Sequence, residues 1–335
     1  MRTPPTELSD AAVIAALAAG WGLRGAEVEY LPVGFGSHHW RARAHHGPRF
    51  VTADDLDERR RAADEPRDAT FERLRAALRT ARALRDAGLV FVVAPIPTTH
   101  GEVVRRVSDR FALALYPQVE GQARSWGDDA TPAERLAILD LVVAIHGAPT
   151  KARASARRED FRLANRDALE RALAEVDRTW DGGPYAEPAR GLIADHSAGL
   201  EALLGRYDRL AAEAAGAARR PDRFVLTHGE PHLGNTIQTE DGWLMVDWDT
   251  ALLAPPERDL WILAENDAEI LHSYTAATGR PVDRGTLELY RLAFDLADIA
   301  IFVAQFRQPH LVTEDTEKAW QSLAFRLART DPGRR

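Results

Sequence analysis

Three polar side chains between residues 225 and 259 have the types and the spacing that phosphoryl transfer requires. Glu230 and Asn235 are five residues apart, and Asp247 follows a short predicted strand. In enzymes that transfer a phosphoryl group, one carboxylate orients the acceptor hydroxyl, while an amide and a second carboxylate hold Mg²⁺. The pattern therefore predicts Glu230 as the catalytic carboxylate and Asn235 and Asp247 as magnesium ligands.

The same segment resembles the signature of the aminoglycoside phosphotransferases and their choline-kinase-like relatives. The matching residues are His228-Gly-Glu230, Asn235 and the run from Asp247 to Asp259, which is most similar to the spectinomycin (aminocyclitol) phosphotransferases. The sequence departs from the family at Glu230, where the family has Asp. Both carboxyl groups have reference pKa values of about 4, but the longer stem of Glu moves the charge by roughly one C–C bond. We therefore expect the change to affect the choice of acceptor more than the reaction.

The resemblance implies a bilobal, protein-kinase-like α+β fold, with a β-rich amino-terminal lobe and a mostly helical carboxy-terminal lobe. The implied division is a nucleotide-binding lobe at 1–116, a hinge at 117–121, and a lobe at 122–335 with the catalytic loop and the substrate pocket. The implied activity is Mg²⁺-dependent transfer of the γ-phosphate of ATP or GTP to a hydroxyl of an aminocyclitol- or aminoglycoside-like acceptor. Two alternatives stay open from the sequence: a kinase-like binding protein that is catalytically weak or inactive, and a kinase of another small metabolite.

Hydrophobic spacing and turn residues predict the elements of both lobes. The first lobe has strands, one helix and further strands, which is typical of kinase-like lobes, and helices dominate after Thr131, whose side chain is predicted to cap a helix. The charged segment 54–68 is predicted to be a surface loop. The predicted strands are 28–33, 40–44, 49–53, 91–95, 102–107 and 111–116, and the predicted helices are 10–19, 70–87, 131–147, 159–180, 186–217 and several from 258 to about 328.

A glycine turn and the end of the first lobe supply the predicted nucleotide site. Gly34, Gly36 and Ser37 lie between two predicted strands, where kinases fold a hairpin over the nucleotide phosphates and use backbone N–H donors. Tyr116 and Val119 lie at the predicted hinge. The sequence therefore predicts that these five residues bind the nucleotide.

The third predicted strand lacks the lysine that kinases use to contact the α- and β-phosphates. Thr52 or a neighbour occupies that position, and no lysine precedes Lys151. Three explanations remain open: an arginine from elsewhere in the lobe reaches the phosphates, Mg²⁺ neutralises most of the charge, or the protein binds nucleotide poorly and is no kinase. Lysine is a compact point charge that arginine does not replace geometrically. The candidate arginines are Arg41, Arg43, Arg49 and Arg105.

Acidic side chains near the catalytic loop predict a pocket for a cationic acceptor. Asp249 lies two residues after Asp247, on the same side of an extended backbone. Asp259, near the start of a predicted helix, is expected to anchor the catalytic loop. The predicted acceptor-binding residues are His232, Asp249, Glu265 and Asp295, with Asp298 on the same helix face as Asp295.

The composition excludes several classes of protein. The formal net charge of −8 argues against general nucleic-acid binding and suits a cationic small molecule as partner. The chain has no cysteine, so disulfides, thiolate metal sites and a cysteine nucleophile are excluded. No apolar run approaches the ~20 residues of a membrane span, and the first ten residues have no signal-peptide pattern. We therefore expect a cytoplasmic protein that acts away from membranes.

Overall fold

An antiparallel sheet forms the centre of the amino-terminal lobe in the computed structural model, which describes residues 1–34, 36–45, 47–125, 127–217, 223–264 and 267–330. Its strands are, in chain order, β1 (Glu27–Leu31), β2 (His38–Ala44), β3 (Gly47–Asp55), β4 (Arg105–Arg106) and β5 (Phe111–Pro117). They pair in the spatial order β1-β2-β3-β5-β4. The hairpin of β1 and β2 carries the glycine turn at its tip.

Two helices cover the two faces of this sheet. Helix α1 (Asp10–Trp21) packs on the face that includes Leu113 of β5, and α2 (Arg67–Asp86) packs on the face that includes Ala112 and Ala114. Successive side chains of a strand point to opposite faces, so alternate residues of β5 pack against α1 and α2. The other side of α2 packs into the apolar core of the carboxy-terminal lobe. This helix therefore belongs to the cores of both lobes.

Helices form most of the carboxy-terminal lobe. They are α3 (Pro132–His146), α4 (Arg166–Ala174), α5 (Ala186–Ala217), α6 (Glu257–Ala264), α7 (Ala268–Thr278), α8 (Arg284–Arg307) and α9 (Glu314–Thr330). One apolar cluster joins α3, α6 and α7 beneath residues 228–235, the predicted catalytic loop. A second cluster joins α4, α5, α8 and α9. Within the described parts of the chain, none of the helices has the length and apolar character that crossing a membrane requires.

Short strands fix both ends of the catalytic loop. They are β6 (Gln122–Ala123), β7 (Val225–Thr227), β8 (Thr236–Thr239), β9 (Gly242–Met245) and β10 (Leu252–Ala254). Strand β7 pairs with β10, while β8 pairs with both β6 and β9. Glu230 follows β7, Asn235 directly precedes β8, and Asp247 follows β9. The three chemically interesting residues thus lie on connections whose ends are tied to neighbouring strands.

The predicted α+β, bilobal fold is confirmed, but the strand predicted at 91–95 is wrong. In this segment Val92 forms only an isolated bridge, to Met245. The reason is local, because Pro95 and Pro97 have no N–H group to donate to a ladder of hydrogen bonds. The chain therefore has an irregular conformation here, with the N–H group of Val93 donating to the carbonyl of Met245 at 2.9 Å and that of Ile96 to the carbonyl of Leu115 at 2.6 Å.

The helix predicted at 159–180 is also wrong over much of its length, because it is confined to Arg166–Ala174. Phe161 and Asn165 both have φ values of 54°, in the left-handed region, and a right-handed helix cannot continue through such residues. The next predicted helix, 186–217, is confirmed.

The charged segment 54–68 is not the surface loop that the sequence predicts. Asp54 is buried at its start. The carbonyl of Arg61 accepts a hydrogen bond from Asn165 N at 2.6 Å, and the guanidinium of Arg61 lies 3.0 Å from Asp160. The segment therefore connects the end of β3 directly to the carboxy-terminal lobe, and it borders the cleft between the lobes.

Candidate active site

A fully buried aspartate fixes the backbone of the catalytic loop. Asp259, in the first turn of α6, accepts hydrogen bonds from the N–H groups of His228 (2.9 Å) and Gly229 (2.6 Å). His146 on α3 lies with Nε2 3.0 Å from the same carboxylate. Burial favours the neutral form of Asp259, but His146, Arg258 and His228 together outweigh it and lower the pKa of this carboxyl group. Asp259 is therefore ionised at neutral pH and holds the loop in place.

Gly229 meets a steric requirement at the start of this loop. Its φ is 108°, and a Cβ atom placed on it would lie 2.6 Å from both Arg258 and Thr250. Glycine alone adopts this conformation readily and leaves that space open. Arg258 donates to the hydroxyl of Thr227 at 2.9 Å and to the carbonyl of Thr250 at 3.0 Å. The chain thus turns tightly after β7 and brings Glu230 to the cleft.

Glu230 is an ionised carboxylate within the cleft. Its side chain is 40% exposed, and its Oε2 lies 3.8 Å from His232 Nε2. Burial favours the neutral form, but His232, followed by His228 and Arg258, outweighs it and lowers the pKa of Glu230. An ionised carboxylate accepts a hydrogen bond from an alcohol. Glu230 therefore has the protonation state that the predicted orientation of an acceptor hydroxyl requires.

Asn235 and Asp247 offer oxygen atoms of the kind that Mg²⁺ prefers. The amide nitrogen of Asn235 donates to the carbonyl of Glu230 at 3.0 Å, which leaves the amide oxygen available as a ligand. The carbonyl of Asn235 accepts a hydrogen bond from Val246 N at 3.0 Å, so it lies beside the residue that precedes Asp247. Asp247 itself has a φ of 63°, and strained backbone of this kind is common at functional sites.

Like charges surround Asp247. Burial between the lobes, followed by the charges of Asp249 and Glu230, raises the pKa of Asp247 well above its usual value, while Arg59 lowers it. Solvent in the open cleft also reaches this carboxylate and moderates the effect. No group of three or more His, Asp or Glu side chains in the described structure converges as a complete metal site. The donor set nevertheless fits Mg²⁺, which keeps several waters and commonly takes one or two carboxylates together with substrate phosphates.

One cleft of about 2500 Å³ brings most of the predicted site residues together. Its upper edge is the turn between β1 and β2, where Gly34 and Gly36 have φ values of 71° and 82°. Such values favour glycine, and a Cβ atom on Gly34 would lie 2.9 Å from the ring of His39. The predicted residues that line the cleft are Gly34, Gly36, Ser37, Tyr116, Val119, Glu230, His232, Asn235, Asp247 and Asp249.

Asp298 lines the cleft, and the predicted residue Asp295 does not. Asp295 lies 3.1 Å from Arg326, which also pairs with Asp298 at 2.9 Å. Burial raises the pKa of Asp298 to about 6, with Arg326 acting against this effect and the charge of Glu230 adding to it. Glu265, the remaining predicted residue, lies outside the described residues.

Arg59 lies in the cleft although its segment is predicted to be on the surface. Its Nη1 lies 2.5 Å from Asp249 Oδ2, its Nε lies 2.6 Å from Asp54 Oδ1, and its Nη2 donates to Ser37 Oγ at 2.8 Å. The guanidinium thus connects the segment that follows β9, strand β3 and the glycine turn. The four arginines suggested by the sequence do not line this cleft in the described structure; they are Arg41, Arg43, Arg49 and Arg105.

Comparison with known proteins supports the family resemblance seen in the sequence. The profile of the phosphotransferase enzyme family (APH) matches residues 31–302, which is most of the chain. Protein StrN of Streptomyces griseus is 32% identical to this chain over 251 residues. That match covers 72% of this chain and 72% of StrN.

Solved structures of distant relatives have the same fold. Spectinomycin phosphotransferase APH(9)-Ia, in complex with ADP and spectinomycin, superposes with a TM-score of 0.71 at 17% identity, over 96% of this chain and 97% of that one. The amicoumacin kinase hAmiN, in complex with AMP-PNP and Ca²⁺, gives a TM-score of 0.57 at 14% identity, over 96% and 93% of the two chains. At these identities the likeness concerns the fold.

We predict that Asp259→Asn destabilises the protein through the catalytic loop. The asparagine side chain has nearly the same shape as aspartate, but its N–H₂ group would face one of the two backbone N–H groups that Asp259 accepts from. One buried donor left without an acceptor costs about 1–3 kcal/mol. Unfolding in urea, followed by tryptophan fluorescence, should show a free energy of unfolding that is lower by this amount. Asp241→Asn, in the exposed turn between β8 and β9, is the control and should unfold as the wild type does. Equal stability of the two variants would contradict the anchoring role of Asp259.

Proposed function

Because the chain belongs to the phosphotransferase enzyme family, we propose that it transfers the γ-phosphate of ATP or GTP to a hydroxyl of a cationic small molecule. An aminocyclitol is our first candidate for the acceptor. The observation that carries the proposal is the convergence of Glu230, Asn235 and Asp247 on one cleft beneath the glycine turn. These are the three types of group that phosphoryl transfer uses to orient the acceptor and to bind the metal.

The roles of the residues follow from their positions and charges. Asn235 and Asp247, together with the nucleotide, would hold Mg²⁺, which would supply positive charge to the phosphates. The backbone N–H groups of the turn at Gly34 and Gly36 cover the phosphates, and Glu230 orients the acceptor hydroxyl. The bond from the acceptor oxygen to the γ-phosphorus forms as the bond to the β-phosphate oxygen breaks, and the hydroxyl proton passes to Glu230. Catalysis here consists mainly of positioning and charge stabilisation.

The acceptor side of the cleft suits a molecule with an amine. Asp298 supplies a carboxylate that is charged at neutral pH, since its pKa is raised only to about 6. Trp261 and Phe294, whose ring centroids are 5.1 Å apart, also line the cleft, and aromatic faces attract cations. The spectinomycin phosphotransferase of similar fold was solved with ADP and spectinomycin bound, which supports an aminocyclitol acceptor for this chain.

A transfer assay tests the proposal. The wild-type protein, with Mg²⁺ and either ATP or GTP, would be incubated with a panel of aminocyclitols, aminoglycosides and choline, and the phosphorylated product detected by mass spectrometry. We expect Glu230→Gln to lower kcat by ~10²-fold or more while the nucleotide affinity stays nearly unchanged, because a misplaced hydroxyl slows the transfer step alone.

The control for Glu230→Gln is Glu240→Gln, which removes a carboxylate from the exposed turn between β8 and β9. This control should keep the wild-type kcat. Wild-type turnover by Glu230→Gln would show that another group orients the hydroxyl. If the wild type transferred phosphate to no hydroxylated amine of the panel, the proposed acceptor class would be wrong.

We predict that Asp298→Asn weakens binding of a cationic acceptor. Losing one charge-assisted contact should raise the acceptor KM by ~10-fold or more, with the nucleotide KM unchanged. The pKa of Asp298 is about 6, so this carboxyl group is ionised above that pH and neutral below it. The wild-type acceptor KM should therefore rise as the pH falls through about 6, and Asp298→Asn should lack this rise.

Asp295→Asn provides a matched control on the same helix. Asp295 also contacts Arg326 but does not line the cleft, so its substitution should change the acceptor KM much less. Equal effects of the two substitutions would assign the result to the shared Arg326 contact and not to contact with the acceptor.

A further inference from the structure

Arg59 lies where the lysine of the third strand is missing. Thr52, at the expected lysine position, lines the cleft and precedes Asp54 by two residues on β3. Residues two apart on a strand point to the same face, and Arg59 Nε lies 2.6 Å from Asp54 Oδ1. The Arg59 guanidinium therefore occupies the space toward which a lysine at position 52 would point. It reaches this space from the segment that follows the strand.

The backbone around Arg59 is held on both sides. The N–H group of Arg59 donates to the carbonyl of Asp55 at 3.1 Å, and the Arg73 guanidinium on α2 donates to the carbonyl of Arg59. Two residues later, Arg61 pairs with Asp160 of the carboxy-terminal lobe at 3.0 Å. These fixed points direct the Arg59 side chain into the cleft, where it is 20% exposed.

The contacts of Arg59 link the two predicted halves of the phosphate site. Its Nη2 donates to Ser37 Oγ, in the glycine turn that is proposed to cover the phosphates. Its Nη1 lies 2.5 Å from Asp249, two residues beyond the proposed magnesium ligand Asp247. A phosphate group between the turn and the metal would therefore lie next to this guanidinium.

The charges around Arg59 are not balanced. Asp54, Asp247 and Asp249 all lie close enough for their charges to act on this one guanidinium. Its Nε lies 2.6 Å from Asp54 Oδ1, and its Nη1 lies 2.5 Å from Asp249 Oδ2. The cluster thus has more carboxyl groups than one guanidinium can neutralise.

We infer that Arg59 is the phosphate-binding cation of this enzyme, in the role that the strand lysine has in kinases. The inference rests on the proposed nucleotide site. With Mg²⁺ held by Asn235 and Asp247, these carboxylates would need less of the charge of Arg59, and its guanidinium would turn from Asp249 to oxygens of the α- and β-phosphates. A guanidinium suits this exchange because its planar fork makes paired, charge-assisted hydrogen bonds to phosphate.

The test compares ligands that differ only in their phosphates. Calorimetry on the full chain would measure the affinities of the nucleoside, the diphosphate and the triphosphate with Mg²⁺, in the adenine and guanine series. We expect Arg59→Met to bind the Mg²⁺ complex of the triphosphate ~10-fold or more weakly. This is the loss of affinity expected when one or two charge-assisted hydrogen bonds are removed. The affinity of the nucleoside should stay unchanged, because it has no phosphate.

Two further variants sharpen this experiment. Arg60→Met removes the same charge from the neighbouring residue, whose guanidinium pairs with Asp57 at 2.6 Å, and should bind all ligands as the wild type does. Adding Thr52→Lys to Arg59→Met restores a cation at the usual strand position. We expect this double variant to regain most of the lost triphosphate affinity, which a purely structural role of Arg59 would not allow.

Wild-type triphosphate affinity in Arg59→Met would overturn the inference. So would an equal loss of nucleoside and triphosphate affinity, which indicates a structural role, or the absence of any gain from Thr52→Lys. If Arg59→Met does not fold, Arg59→Gln removes the charge, keeps a donor for Ser37 and undergoes the same measurements. If the wild-type protein bound no nucleotide, the proposed function would be wrong as well. If it transferred phosphate but its triphosphate affinity did not depend on Arg59, only this inference would be wrong.

Discussion

Repulsion between carboxylates in one cleft is the constraint on which the rest of this structure depends. Asp54, Asp247 and Asp249 lie around a single guanidinium, that of Arg59, and Glu230 adds its charge nearby. Like charges held close together in a partly buried site repel one another and oppose folding. Burial and the neighbouring carboxylates raise the pKa values of Asp54 and Asp247, and Arg59 acts against this rise. A cation that binds between them relieves this repulsion. This charge arrangement therefore favours binding of a cation, which is what the proposed site for Mg²⁺ and its nucleotide requires.

The surrounding fold supports this unfavourable arrangement from outside the cleft. Asp259 and His146 hold the backbone of the catalytic loop from below, at a point where both side chains are fully buried. Helix α2 belongs to the cores of both lobes, and the contact of Arg61 with Asp160 ties the lobes together a second time. Because Ser37 and Asp249 lie on different lobes, the position of Arg59 between them depends on these connections.

The sequence predicts the fold and the catalytic loop well because their signals are local. Glu230, Asn235 and Asp247 lie within one short stretch, and strand and helix spacing place that stretch between short strands. The role of Arg59 has no such signal. Arg59 lies in a segment rich in charges of both signs, which is typical of a solvated loop. Its position in the cleft depends on Asp249, which is distant in sequence. Local rules do explain one wrong prediction, since Pro95 could have excluded a strand at 91–95.

The acceptor side shows the same limit on a smaller scale. The three-residue spacing of Asp295 and Asp298 places both on one helix face, but it does not determine which of them contacts a ligand. Arg326 of the following helix contacts both aspartates, and of the two only Asp298 lines the cleft. Pairing between distant helices is a tertiary property, so only the structure distinguishes the two.

The dependence of nucleotide affinity on Mg²⁺ is the most direct measure of the charge balance in this cleft. Calorimetric titration of the wild-type protein with ATP and with GTP would be carried out once in EDTA and once in excess Mg²⁺. We predict weak binding in EDTA, because the nucleotide then meets carboxylates that are not neutralised and Arg59 stays with Asp249. Mg²⁺ should strengthen binding by ~10-fold or more, as expected when one cation neutralises several charges at effective dielectric constants near 20. Equal affinities in EDTA and in Mg²⁺ would contradict the central role of carboxylate repulsion.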